Sequence, residues 1–350
     1  MIGDEELFLD VELFNIINAV NPERKVYRSR KACVDMSNWD DKEFIKRYRV
    51  SKETANILLE HIAEQLRPAT DRNYAVAPLQ QLLLTLRYLA TGSFYITVGD
   101  YGGVHKSTAG KIIQKCIFTL AELGDQYIHL PADEPERHAT VLQFARVARF
   151  PRVVGAIDCT HIKLQSPGGD AAEAFRNRKG YFSLNVQVVC NAQHEILDIV
   201  ARWPGASHDS HIFNNSRVRM RFEAGEFQDC VLLGDSGYPL RSYLLTPLDQ
   251  PRTAAEHLYN EAQIRTRNII ERTFGIWKRR FPILSLGIRT KLELAQAIIV
   301  ASAVVHNLAC AHHDELPDDI ENVEDPIGDA REVDQNHVGV AVKEFTYKIF

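Results

Sequence analysis

Val153-Val154-Gly155-Ala156-Ile157-Asp158 is an apolar run that ends on a carboxylate, and Val231-Leu232-Leu233-Gly234-Asp235 repeats the pattern later in the chain. Short apolar runs rich in β-branched residues predict buried strands. An acid at the end of a buried strand stays charged at low cost only if a cation meets it. We therefore expect Asp158 and Asp235 to end two strands and to share a cation site.

A third acid, Glu271, lies in a basic segment. Between Tyr259 and Lys291 the chain has eight Lys or Arg residues against two Glu residues. On a helix, Arg267 and Gly275 lie one turn to either side of Glu271, so that face combines an acid, a cation and a small gap. Such a face attracts phosphate while keeping the glutamate charged. The alternative is an ordinary solvated amphipathic helix.

Two strand-end aspartates and a helical glutamate suggest a two-metal phosphodiester site. In this hypothesis Asp158 bridges two divalent cations, while Asp235 and Glu271 each complete the shell of one. A metal-bound water or a 3′-hydroxyl then attacks the phosphate in line. Mg²⁺ or Mn²⁺ is the expected ion.

Length and composition leave room for such a site. The chain has 350 residues, of which 45% are hydrophobic, which predicts one or two domains with a large core. Neither a run of about 18 apolar residues nor a basic, then apolar, N-terminal signal is evident, so we expect an intracellular protein without a membrane span. The six cysteines form no C-x-x-C pair, which favours reduced thiols over disulfides or zinc ligands.

The formal charge of −5 is unevenly distributed. Between His312 and Gln335, ten acidic residues stand against Arg331, a local balance of −9, so −5 − (−9) leaves +4 for the rest of the chain. The folded body is therefore mildly basic. The acidic segment is typical of a solvated linker or tail, with shielding of a DNA site as the alternative.

Residues 41–130 form a predicted helical domain that follows an irregular arm, residues 1–40. Apolar residues at three- and four-residue spacing predict four helices, over 42–48, 51–66, 79–89 and 107–123. Around Gly102-Gly103 a short helix, a glycine turn and the helix from Ser107 match helix-turn-helix grammar, with Lys106 and Lys111 nearby. This pattern leaves DNA contact and plain helix packing equally open.

From residue 150 the chain changes to strands. Apolar, β-branched runs predict strands over 153–164, 183–191, 196–203 and 230–233, with helical stretches before the last strand and a long helix after it. This order predicts an α/β domain over residues 150–311, a mixed sheet flanked by helices. Residues 312–350 form the acidic tail.

Two further places are ambiguous. Arg176, Arg178 and Lys179 lie in a glycine-containing turn that either grips a phosphate or is a solvated loop. Asp209 follows Ser207, which is a candidate helix cap, so Asp209 either sits in a helix first turn or joins the metal site. We therefore treat Asp209 as a less certain fourth ligand.

Several blocks of this sequence resemble the successive blocks of the PIF/Harbinger transposases. The resemblance is nearest to the Harbinger transposase-derived nucleases, which are DDE superfamily endonucleases. The blocks occur in order between about Lys42 and Ala311. They are Val154–Ile162, Asn177–Gln187, Trp203–Ser210, Leu232–Pro239, Tyr259-Asn260 and Ile270–Lys278.

The resemblance implies an RNase H-like fold in which Asp158, Asp235 and Glu271 match the family's Asp-Asp-Glu catalytic triad. It implies divalent-metal cleavage of DNA and a separate Myb-like DNA-binding partner protein. A DNA substrate predicts nuclear residence, with the cytoplasm as a second location, and the family leaves homo-oligomers open. The DNA-binding candidates are Lys106, Lys111, Arg176, Arg178, Lys179, Arg267, Arg272 and Lys278.

Two functions follow from the same sequence. The first is a metal-dependent DNA endonuclease of transposase descent, which hydrolyses phosphodiester bonds and is open to strand transfer as well. The second is a domesticated, non-catalytic DNA-binding or scaffold protein that keeps the fold. Three intact acids favour the first.

Overall fold

A computed structural model describes residues 39–68 and 75–316. Almost all of the predicted arm, residues 1–40, and of the acidic tail, residues 312–350, lies outside these ranges. The fold described below is therefore that of the helical region and of the sheet with its flanking helices.

Among the described residues, seven helices precede the sheet. They are α1 (Asp41–Tyr48), α2 (Lys52–Leu66), α3 (Pro78–Thr91), α4 (Tyr95–Gly102), α5 (Lys106–Glu122), α6 (Gly124–Tyr127) and α7 (Glu134–Ala148). The caps fit the sequence, since the Asp40 side chain accepts from the Glu43 amide and the Ser51 hydroxyl accepts from the Thr54 amide. The four predicted helices are each present to within two residues.

The predicted helix-turn-helix segment consists of α4 and α5. Between them Gly103 adopts a left-handed conformation with φ of 65°, which ends α4. The buried face of α5, which includes Ile113 and Ile117, packs against α3, α4 and α12. Lys106 and Lys111 remain exposed on the other face. The turn therefore serves packing, and DNA contact by the two lysines stays a prediction.

The second half contains five strands. They are β1 (Val153–Lys163), β2 (Ser183–Cys190), β3 (Ile196–Pro204), β4 (Val231–Leu233) and β5 (Leu244–Leu245), in the order β3-β2-β1-β4-β5. β1, β2 and β3 are antiparallel neighbours, while β4 lies parallel to β1 and to β5. The mixed five-stranded sheet flanked by helices confirms the predicted α/β, RNase H-like class.

Gly155 is required in the centre of this sheet. A β-carbon there would come within 2.5 Å of Val189 on β2 and 2.9 Å of Leu232 on β4. Both contacts are to side-chain atoms, so any larger residue would displace the Val189 and Leu232 side chains. The glycine of the first quoted motif thus leaves room for these two core side chains.

Helices cover the sheet. α8 (Asp209–Asn214) and α9 (Arg217–Glu223) connect β3 to β4, and a 3₁₀ turn (Ala172–Phe175) lies between β1 and β2. The 27-residue α10 (Ala254–Arg280) begins with a capping box of Thr253 and Glu256 and packs on β1, β2 and α7. The short α11 (Ile283–Leu286) and the long α12 (Leu292–Ala311) follow.

α12 corrects one expectation. Its 20 residues are long and apolar enough to cross a membrane, although the sequence reading found no such stretch. In the fold, 72% of its apolar window is buried, and it packs against α5 and β3. Length and composition alone therefore do not make it a membrane span, because a central core helix has the same character.

Candidate active site

Asp158 and Asp235 lie beside each other, but only Asp235 follows the end of its strand. β1 continues to Lys163, so the expectation that Asp158 ends a strand is wrong. β1 and β4 are parallel neighbours, and Ala156 of β1 is paired with Leu233 of β4. Asp158 and Asp235 each follow two residues later, so both acids stand at the same level of the sheet. Asp158 accepts a hydrogen bond from the Cys159 amide at 2.7 Å, and Asp235 accepts one from the Gly237 amide at 2.9 Å.

Charge is costly at this position. The side chain of Asp158 is 15% exposed. Burial, and then repulsion from Asp235, raise the pKa of Asp158 well above its ordinary value, while Arg267 acts in the opposite direction. A cation held between the two carboxylates would offset both the cost of burying their charge and their mutual repulsion.

Glu271 is linked to Asp158 by the side chain of Arg267. Its side chain is 56% exposed on α10, and Arg267, one turn earlier, is only 12% exposed. Arg267 Nη2 donates to Glu271 Oε1 at 2.9 Å, and Arg267 Nη1 lies 3.5 Å from Asp158 Oδ2. One guanidinium therefore links the strand acid to the helix acid.

Gly275, one turn after Glu271, leaves open space on the same face of α10. A β-carbon placed there meets no other atom within 4 Å. The gap expected from the sequence is therefore present, and a ligand can approach Glu271 from that side.

The donor set suits a divalent cation only in part. Asp158 and Asp235 supply two adjacent oxygen ligands whose mutual repulsion a cation would relieve. Within residues 39–68 and 75–316, however, no three Asp, Glu, His or Cys side chains are grouped closely enough to hold a metal ion. Arg267 occupies the position between Asp158 and Glu271. The two aspartates fit a metal as they stand, and Glu271 fits it once Arg267 has moved.

Asp209 lies behind the two aspartates. It is buried in the first turn of α8 and accepts a hydrogen bond from Asn185 Nδ2 at 2.9 Å. Asn185 also donates to the carbonyl of Ser207. The residue preceding α8 is His208, and no side chain caps the helix, so the expected cap by Ser207 is wrong. The hydrogen bond supports a structural role for Asp209, and metal ligation stays a prediction.

The candidate DNA-binding cations divide by their contacts and burial. Lys106, Lys111, Lys179 and Arg272 are exposed, as are Arg176 and Arg178, whose side chains are held by hydrogen bonds. Arg176 is held by its own loop, where it pairs with Glu173 at 2.8 Å and donates to the Gly180 carbonyl.

The remaining three candidates are also engaged or covered. Arg178 is hydrogen-bonded to His208, Lys278 is 8% exposed, and Arg267 pairs with the two acids. DNA contact stays a prediction for all eight residues.

Sequence reasoning missed a layer of contacts beneath the acids. Tyr238, which is 4% exposed, places its hydroxyl 3.3 Å from Cys159 Sγ. Burial, and then the charge of Asp209, raise the pKa of Cys159. Asn185 lies within the block Asn177–Gln187, but its hydrogen bond to Asp209 was not predicted. Nothing in the local sequence reveals these contacts, because each joins separate elements of the fold.

The comparisons with known proteins agree with this geometry. Residues 157–307, which contain all three acids, match the family model described as "DDE superfamily endonuclease". A Homo sapiens protein named "Putative nuclease HARBI1" is 33% identical over 275 residues, covering 78% of this chain and 78% of its own length. The chain belongs to the Harbinger transposase-derived nuclease family.

Other members extend the family. The Mus musculus "Putative nuclease HARBI1" is 34% identical over 275 residues, again with 78% of each chain covered. "Protein ALP1-like" from Arabidopsis thaliana is 23% identical over 305 residues, covering 80% of this chain and 73% of its own. No solved structure gives a significant match. Family membership therefore rests on sequence, and the fold is consistent with it.

Proposed function

We propose that this protein is a metal-dependent DNA endonuclease of transposase descent. The observation that carries the proposal is the pair Asp158 and Asp235, which stand at one level of two parallel strands, with Asp158 buried. Purely structural carboxylates are seldom placed together in this way, because burial and mutual repulsion both oppose their ionisation. Membership of a DDE endonuclease family supports the same chemistry.

Each acid has a distinct part in this proposal. Asp158 and Asp235 would hold a divalent cation, with Glu271 completing the set from α10. When bound, Mg²⁺ or Mn²⁺ would activate a water or hydroxyl nucleophile and neutralise charge on the phosphate. Asn185 on β2 would hold Asp209 at the start of α8 through their hydrogen bond.

The exposed cations would orient the DNA. Arg272 follows Glu271 directly on α10 and is exposed, so it is available to a phosphate beside the acids. Lys106, Lys111 and Lys179 offer further phosphate contacts. We infer that a separate Myb-like protein supplies site choice and that the chain acts in the nucleus. A homo-oligomer fits the same proposal.

A supercoiled-plasmid nicking assay tests the activity. In the presence of Mn²⁺ or Mg²⁺, with and without a Myb-like partner, the wild type should nick DNA, and Asp158→Asn should lower the rate about 10³-fold or more. The matched control is Glu261→Gln, which removes an exposed carboxylate from the same helix as Glu271. Its nicking rate should equal that of the wild type.

The same assay addresses the alternative of a non-catalytic scaffold. Equal nicking by the wild type and Asp158→Asn would show that another protein or another site is responsible. No nicking on any DNA, with either metal and with the partner, would favour the scaffold. Either result removes the endonuclease proposal.

A further inference from the structure

Arg267 holds an unusual position among the basic residues of α10. Its side chain is 12% exposed, whereas that of Arg265, two residues earlier on the same helix, is 62% exposed. Both arginines pair with a glutamate four residues away, Arg265 with Glu261 at 3.4 Å and Arg267 with Glu271 at 2.9 Å. Arg267 differs in also approaching a strand acid, Asp158.

The compensation that Arg267 offers is incomplete. It brings one positive charge to a site with three carboxylates, those of Asp158, Asp235 and Glu271. Its distance of 3.5 Å to Asp158 is longer than the approximately 2.8 Å of a strong charge-assisted hydrogen bond. Its Nε is buried and has no hydrogen-bond partner within the described part of the chain. The guanidinium is therefore held mainly by charge, and a stronger cation can replace it.

A divalent cation between Asp158 and Glu271 would need the space that Arg267 fills. The absence of a three-ligand group among the described residues has this local cause, since the strand acid and the helix acid meet only through the guanidinium. Glu271 is more than half exposed, so its side chain has room to turn once the arginine has left.

We propose that Arg267 is a positioning residue that acts as the counterion of the metal-free site and competes with divalent cations for Asp158 and Glu271. This inference rests on the proposed metal-dependent function. Arg267 then pairs first with the acids and is not a permanent DNA contact. Metal binding and the release of Arg267 are then two parts of one event.

Calorimetric titration of the full chain with Mn²⁺ alone, without DNA, tests this competition. Arg267→Gln removes the competing charge, and its Mn²⁺ affinity should be about tenfold tighter than that of the wild type. Arg265→Gln is the matched control, because it removes an exposed arginine from the same helix, and its Mn²⁺ affinity should not change. An unchanged or weaker affinity in Arg267→Gln would overturn the proposal.

A second variant covers the case in which Arg267→Gln does not fold without metal. Arg267→Lys keeps the charge but lacks the planar fork that spans two carboxylates. It should also bind Mn²⁺ more tightly than the wild type, by a smaller factor, and Mn²⁺ should raise its melting temperature more than that of the wild type. A smaller melting shift than in the wild type would count against competition.

Asp158→Asn separates failure of this inference from failure of the proposed function. If Asp158→Asn abolishes Mn²⁺ binding while neither Arg267 variant binds more tightly, the metal site stands and the competition is wrong. If the wild type and Asp158→Asn give the same Mn²⁺ titration, no metal site exists at these acids. Both proposals then fall.

Discussion

Two polar clusters flank α10 within a few residues of each other, and they are built in opposite ways. The carboxylate cluster consists of Asp158, Asp235, Glu271 and Arg267. The neutral cluster consists of His194, Thr273, His306 and Asn307. The first concentrates charge of one sign, and the second joins neutral donors to neutral acceptors.

Hydrogen bonds tie most polar atoms of the neutral cluster to neighbouring elements, although His306 Nδ1 is buried without a partner among the described residues. His194 Nδ1 lies 2.9 Å from Thr273 Oγ1, and His306 Nε2 lies 2.9 Å from the His194 carbonyl. Asn307 donates to the carbonyls of Tyr127 and Ile196 and accepts from the Ile196 amide, each at 2.7 Å. These bonds join the β2–β3 turn to α10 and α12. The cluster therefore stabilises the fold.

The carboxylate cluster has no comparable completeness. Its acids repel one another, and its one arginine is shared between two of them. Such an arrangement lowers stability unless a ligand completes it, and costs of this kind concentrate at functional sites. The difference teaches that a polar cluster of neutral hydrogen-bonding groups indicates a role in folding. A cluster with an excess of one charge indicates a role in function.

Neutralising Asp158 is the strongest test of the difference between the two clusters. Because burial raises the pKa of Asp158, its ionised form lowers the stability of the fold at every pH above the ordinary value of 3.8. Asp158→Asn should therefore raise the free energy of unfolding of the metal-free protein by about 3 kcal/mol at neutral pH. Urea unfolding in the presence of a chelator measures it.

The same unfolding experiment at acidic pH provides the control. Below the ordinary pKa, Asp158 is protonated in both the folded and the unfolded chain, so the gain should vanish at about pH 3. A loss of stability in Asp158→Asn at neutral pH would show that Asp158 is a structural acid. The contrast between the two clusters would then fail.

The opposite sign is expected in the neutral cluster. Asn307→Ala leaves three buried backbone groups of Tyr127 and Ile196 without their side-chain partner. The free energy of unfolding should fall by about 2 kcal/mol, as found when buried hydrogen-bond partners are removed. Thermal and urea unfolding provide the measurement.

Metal affinity sharpens this second test. Because Asn307 does not contact the acids, Mn²⁺ binding by Asn307→Ala should match that of the wild type at a temperature where both are folded. A change in Mn²⁺ affinity would mean that the two clusters are energetically coupled.

The third test is a pH dependence. Burial, and then the charge of Arg280, lower the pKa of His306 from 6.5 to about 3. Between these values the unfolded chain binds a proton at His306 that the folded chain does not. Stability therefore rises with pH across this window, by about 1.4 kcal/mol per pH unit from this group.

His306→Gln removes that contribution while keeping an N–H donor for the His194 carbonyl. The slope of unfolding free energy against pH, measured between about pH 4 and pH 6, should fall by about one proton. An unchanged slope would show that His306 is protonated in the fold. The neutral cluster would then carry charge after all.

The sequence predicted the elements whose pattern is strong. β1, β2 and β3 are long apolar runs bounded by turns, and their predicted limits agree with the structure to within a residue. α7 was missed, because only Thr140 and Phe144 of its fifteen residues are buried, so no apolar stripe marks it. β5 has two residues, too few to show a period.

The site was predictable in part for the same reason. Asp158 and Asp235 are each fixed by the apolar run before them, and Glu271 by its place among basic residues. The proximity of Asp209 to Asp158 was not predictable, since a helix-capping position and a metal-binding position look alike in one dimension.

The sequence by itself determined which acids lie on or just after a buried strand and which helix carries the third, because hydrophobic periodicity is a local property of the chain. Only the tertiary structure decided what stands between those acids. Arg267 is more than a hundred residues from Asp158 in the chain, and it reaches that carboxylate because α10 packs across β1. Pairing of distant charges depends on how elements pack, so the fold alone shows that the metal-free site already holds a cation of its own.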